Sequence, residues 1–101
     1  SCTGQQDKDS AGLDSRGNEN VFRYNTIFGN RGAGIRLGGD KKDFGINNFV
    51  HDNTLRDNEE GGIKIMRSPQ AKICGNTFSG NKEGKFVGEY GDDFKDSPCP
   101  K

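Results

Sequence analysis

The chain has no tryptophan, one methionine and a single histidine, His51. Leu, Ile, Val and Phe together number 19 of 101 residues, a share at which composition by itself favours disorder. Disorder of that kind also calls for a high net charge, and here 15 Lys and Arg balance 15 Asp and Glu. The same balance, with no basic stripe, argues against nucleic acid as a partner, because phosphate binding rests on clustered Lys and Arg. No apolar run approaches the ~20 residues that span a bilayer as a helix, and no charged-then-apolar leader opens the chain. The first residue is Ser1, not Met, which is read as the loss of a preceding segment, and secretion is the expectation. There is no C-x-x-C and no second histidine, so no zinc-ligand spacing exists. The length fits one small domain whose modest core gains from crosslinks or association.

What the chain does have is glycine, 16 residues of it, and a recurring phrase. "NTIFGN" at 25–30 returns as "NTLRDN" at 53–58 and "NTFSGN" at 76–81. With the Asn-Thr pairs in register, three segments align without a gap: "NVFRYNTIFGNRGAGIRL" from 20, "NFVHDNTLRDNEEGGIKI" from 48 and "AKICGNTFSGNKEGKFVG" from 71. Phe22, Val50 and Ile73 share one apolar column; Ile27, Leu55 and Phe78 share a second; Ile35, Ile63 and Phe86 share a third, above which a partial earlier copy places Leu13. Successive members of the third column lie 22, 28 and 23 residues apart. The extra residues of the middle interval fall in "GGDKKDFG" (38–45), a loop by composition. Repeats of this length with short alternating stretches, and without 3.6-residue periodicity, exclude paired helices.

The pattern describes coils of a solenoid. "GIRL" and "GIKI" place Ile35, Leu37, Ile63 and Ile65 inward and Arg36 and Lys64 outward, as period-two alternation requires. A thin solenoid needs few apolar residues per coil, which reconciles the composition with folding. Each coil must turn sharply between strands, and Asn is the residue expected to adopt the left-handed backbone there. Its amide both donates and accepts, so Asn25, Asn53 and Asn76 are expected to form one ladder and Asn30, Asn58 and Asn81 a second.

On these residues the chain resembles the right-handed parallel β-helix repeat family, the pectate-lyase-like solenoids whose coils read approximately N-x-I-x-x-N-x-I-x-x-N-x-x-x-G-I-x-I. The resemblance covers about three-quarters of the chain, Gly12 to Gly88. It implies an all-β fold, a right-handed parallel β-helix of about three to four coils with Asn ladders and short terminal caps. Three parts are expected: an N-terminal extension or cap at 1–11, coils at 12–88 and a C-terminal cap at 89–101. In the last, Tyr90 and Phe94 fold over the final coil and Cys99 pins it. Cys2, Cys74 and Cys99 allow one intramolecular pair in three ways and leave one thiol over, and a small Gly-rich domain of this kind leans on a disulfide. Cys2 is a candidate to pin the opposite end or to link two chains.

The family includes polysaccharide lyases, hydrolases, uronate epimerases, phage tail spikes and coils without known activity, so fold does not give function. Its enzymes wind many more coils than this chain holds, which leaves little groove for several sugars. The resemblance implies where chemistry would lie if present. Lyases of the family set Lys and Arg on an outer sheet face to neutralise a uronate and remove the adjacent proton. His51 or Lys64 is the candidate base and Arg36 or Arg23 the candidate neutraliser, with Arg23, His51 and Cys74 in one outward column and Arg36, Lys64 and Val87 in another. Tyr24, Phe28 and Phe44 are expected as exposed aromatics for stacking on sugar rings, with Phe44 alternatively tucking the insertion loop down. Asp57, Glu59 and Glu60 supply oxygens for a calcium ion but follow neither the EF-hand nor the nonapeptide spacing. Glu59 and Glu60 are instead expected to offset Arg31 and Lys82 of adjacent coils. The reading that emerges is a non-catalytic extracellular solenoid without cofactor or metal. It binds polysaccharide on an outer sheet face, with Tyr24, Phe28, Arg36 and Lys64 as contacts, or stacks on another copy of itself through its coil ends. The alternative is a small or fragmentary polysaccharide lyase or uronate epimerase acting on acidic glycans.

Overall fold

The computed structural model describes residues 11–39 and 44–100. The β1 to β10 strands are Leu13–Ser15, Val21–Arg23, Thr26–Phe28, Ile35–Leu37, Phe49–His51, Thr54–Arg56, Ile63–Ile65, Lys72–Cys74, Thr77–Ser79 and Phe86–Val87. They form three parallel sheets, ordered β1-β4-β7-β10, β2-β5-β8 and β3-β6-β9. Every third strand is therefore a neighbour, and the chain winds through three coils and begins a fourth. This is the expected parallel β-helix.

The pairing register is the alignment of the repeat. Leu13 pairs with Ile35, Ile35 with Ile63 and Ile63 with Phe86; Phe22 pairs with Val50 and Val50 with Ile73; Ile27 pairs with Leu55 and Leu55 with Phe78. The apolar columns fill the bore. Ile27, Ile35, Leu37, Val50, Leu55, Ile63 and Ile65 are fully buried and Ile73 nearly so. Leu13, Phe22, Phe78, Phe86, Tyr90 and Phe94 pack against them from the two ends, and the Phe86 and Phe94 rings stack at 6.2 Å. A 3-10 turn at Gly91–Asp93 separates Tyr90 from Phe94.

The corners differ from the expectation in one respect. The left-handed residue is not the ladder Asn but the one before it. Tyr24, Asp52 and Gly75 have φ of 56°, 55° and 65° ahead of Asn25, Asn53 and Asn76; Gly29, Asp57 and Gly80 have φ of 69°, 57° and 64° ahead of Asn30, Asn58 and Asn81. The reversal made by the first residue leaves the Asn free to turn inward, where its amide meets backbone groups that no strand satisfies. Asn25 Nδ2 donates to Asn53 Oδ1 at 3.1 Å and Asn53 Nδ2 to Asn76 Oδ1 at 3.0 Å. In the other ladder Asn30 Nδ2 donates to Asn58 Oδ1 at 2.7 Å and Asn58 Nδ2 to Asn81 Oδ1 at 2.9 Å. Each acceptor oxygen also takes the backbone N–H of the Asn one coil earlier.

The third corner holds a row absent from the quoted phrase. The Asn20 N–H donates to Asn48 Oδ1 and the Asn48 N–H to Gln70 Oε1, both at 3.0 Å. In the alignment Ala71 stands under Asn48, and Gln70, one residue earlier with one more methylene, reaches the same place.

Candidate functional site

Because the three sheets face outward in different directions, outward residues converge only if they share a sheet. Arg36 and Lys64 are register partners on β4 and β7. Phe28 is on β3, half-buried, with the Arg56 guanidinium 4.3 Å from its ring centroid. Arg23 and His51 are register partners on β2 and β5. The six candidates named from sequence thus lie on three faces: Arg36 and Lys64 on one, Phe28 on another, and Arg23, Tyr24 and His51 together on or beside the third.

On the first face the polar groups are engaged locally. Lys64 Nζ lies 3.7 Å from Glu60 Oε1, and Arg36 Nε donates to the Gly38 carbonyl at 3.3 Å. The Glu60 ion pair therefore runs along its own coil, whereas the expected pairing ran between coils. Asp57 lies 3.6 Å from Arg56. Phe44 is 51 % exposed and does not tuck down, while residues 40–43 of its loop lie outside the described residues, as does Cys2.

The β2-β5-β8 face is different. Since Phe22, Val50 and Ile73 point inward, their neighbours point outward in two rows: Val21, Phe49 and Lys72, then Arg23, His51 and Cys74. Successive rungs of a row are about 4.8 Å apart. The rows gather one chemistry. Phe49 and His51 have ring centroids 4.4 Å apart. Tyr24 meets His51 edge-on at 5.9 Å, and the Arg23 guanidinium lies 5.7 Å from the Tyr24 centroid, within cation–π range. His51 Nδ1 is 2.6 Å from Asp52 Oδ2, so the carboxylate holds the ring in place. Tyr24 itself is 73 % exposed and Val21 55 %.

At the end of the second row Cys74 is bonded to Cys99. This resolves the three possible pairings, and it buries Cys74, which is 3 % exposed despite its outward column. The Gly75 N–H donates to the Ser97 carbonyl at 2.6 Å beside it, so the tail lies against the edge of β8. Among the described residues, the group that brings three His, Cys, Asp or Glu ligand atoms within 4.8 Å of one another is His51, Asp52 and Cys99. Asp57, Glu59 and Glu60 form no such group.

Phe49, Asp52, Lys72 and Val21 were not singled out from sequence, although the alignment contains them. Val21, Phe49 and Lys72 occupy the column one residue before an inward one, and Asp52 occupies the left-handed corner between Tyr24 and Gly75. What the alignment omits is the assignment of each outward column to one of three faces.

No helix among the described residues is long and apolar enough to cross a membrane. A family model described as a right handed beta helix region matches residues 2–95. Comparison with curated proteins and with solved structures returns no match.

Proposed function

The chain belongs to the right-handed β-helix family, and from that premise we propose that it is a non-catalytic extracellular module that binds polysaccharide on the outer face of β2-β5-β8. The observation that carries this reading is Tyr24. A bulky side chain at φ 56° is held in a region that costs it about 1–3 kcal/mol, and a ring 73 % exposed recovers little of that through burial. The equivalent positions of these two ladders hold Asp52, Gly75, Gly29, Asp57 and Gly80, residues suited to that backbone, while the third corner holds Glu19 and Asn47 at φ 59° and 57°. Its contacts with His51 and Arg23 leave most of the ring open, as an aromatic platform for a sugar ring requires. Arg23 beside it and Lys72 two rungs along the same sheet offer charge-assisted hydrogen bonds to carboxylates and hydroxyls, and Phe49 on the rung between extends the apolar strip. The disulfide agrees with an oxidising, extracellular setting.

Each candidate base has a candidate neutraliser as its register partner, Arg23 beside His51 and Arg36 beside Lys64. What favours binding over cleavage is that both bases are already engaged. Lys64 is on a different sheet from His51, and each is tied to a carboxylate of its own, Glu60 and Asp52.

Tyr24→Asn tests the reading, because Asn accepts the left-handed backbone. We expect its melting midpoint to equal or exceed that of the parent chain, and its affinity for a uronate polymer, followed by affinity electrophoresis, to fall about tenfold, equivalent to about 1.4 kcal/mol. Unchanged affinity would remove the platform. Ultraviolet absorbance of unsaturated sugar appearing in the same mixtures would turn the assignment to a lyase.

A further inference from the structure

We propose that, once the Cys74–Cys99 disulfide is reduced, the same corner becomes a zinc site with His51, Asp52 and Cys99 as ligands and Cys74, on the adjacent rung, as the fourth. The parallel register sets Cys74 beside His51 on adjacent strands. The returning tail sets Cys99 against both, with ligand atoms of His51, Asp52 and Cys99 within 4.8 Å of one another. Thiolate, imidazole and carboxylate are all donors that zinc takes, and a second thiolate from Cys74 completes a tetrahedral set. The 2.6 Å contact of His51 Nδ1 with Asp52 Oδ2 already holds the imidazole and the carboxylate together at this corner. Phe49 at 4.4 Å and Tyr24 at 5.9 Å flank the imidazole, whose side chain is 14 % exposed, so the site is sheltered on its aromatic side.

In the oxidised chain neither sulfur is a thiolate and the site is closed. A phosphine reductant opens it: the phosphine is oxidised to its oxide, water supplies the oxygen and two protons, and the S–S bond becomes two thiols. Zinc then displaces the two thiol protons to solvent as it binds. Thiolates sharing one zinc lie about 3.8 Å apart, given Zn–S bonds of about 2.3 Å, so the sulfurs must separate from bonding contact. Ser97, Pro98 and Pro100 are exposed on the tail, so no core packing at those residues opposes a shift of Cys99. The consequence is a tail held to β8 by one of two staples, covalent where the surroundings oxidise and metallic where they reduce.

The test is titration of the full reduced chain with Co2+, whose absorption reports thiolate ligation and tetrahedral geometry, followed by Zn2+ displacement. One Co2+ per chain with thiolate charge-transfer absorption is expected, with none in the unreduced chain and no change in Cys2→Ser. His51→Ala and Cys74→Ser are each expected to weaken zinc binding at least tenfold, and Asp52→Asn by a smaller factor. A reduced chain that binds no cobalt, folded or unfolded, overturns the proposal. So does a cobalt spectrum and affinity unchanged in His51→Ala, or binding that disappears with Cys2.

Discussion

Replacing Asn53 by Ala lowers the melting midpoint by at least about 10 °C. Asn53 is 1 % exposed and sits at the centre of its ladder. Its Nδ2 donates to the Phe22 carbonyl at 3.0 Å, the His51 carbonyl at 3.1 Å and Asn76 Oδ1 at 3.0 Å, while its Oδ1 accepts from the backbone N–H and the side-chain amide of Asn25, each at 3.1 Å. Alanine strands these partners at a corner where no strand supplies a substitute, and each buried orphan costs about 1–3 kcal/mol. A loss of about 3 kcal/mol is expected, and for a domain of this size each kcal/mol displaces the midpoint by about 4–8 °C. Thermal unfolding followed by circular dichroism reads it. A midpoint within about 3 °C of the parent's would mean that water replaces the ladder without loss.

Gly34→Ala has a comparable effect for a steric reason. A methyl group at Gly34 would lie 2.7 Å from Leu55 Cδ2, 2.8 Å from the Gly62 carbonyl oxygen and 2.9 Å from Asn58 Nδ2. Two of those three atoms belong to the backbone of the next coil and to the second ladder, so relief requires the coils to separate. Overpacking of this kind costs about 1–3 kcal/mol, and the upper end applies because the Gly34 N–H and Ile35 N–H also pair with the next coil. Gly29→Ala is the internal control. Nothing lies within 4 Å of its new methyl group, and only its φ of +69° opposes the change, so about 1 kcal/mol is expected. Equal losses at the two positions in urea unfolding would show that backbone conformation, and not coil spacing, decides. The repeat carries the same message: Gly34 and Gly62 each have a coil stacked after them, while the equivalent position in the last coil is Lys85.

The inward half of this fold was legible in the sequence because stacking is translational. A residue's partner is the same residue one coil on, so the alignment that matches Ile35 with Ile63 and Phe86 is already the strand register. The corner chemistry was legible only in part. Asn tolerates a left-handed backbone as well as an inward amide, and the phrase does not say which of two adjacent residues takes which role; Tyr24 and Asp52 take the first and Asn25 and Asn53 the second. The Asn48–Gln70 contact was hidden because Gln70 stands one place out of register, its extra methylene making up the difference. The outward half was least legible. Tyr24, Phe28 and Arg36 lie within 13 consecutive residues, yet two corners of the solenoid send them to three faces.

The most direct test of the central claim is a backbone amide spectrum of the isotopically labelled chain, recorded as an oligouronide is added. Shifts concentrated at Arg23, Tyr24, Phe49, His51 and Lys72 are expected, with the sugar recovered intact. Shifts centred on Arg36 and Lys64, or no shifts at saturating sugar, would contradict the claim.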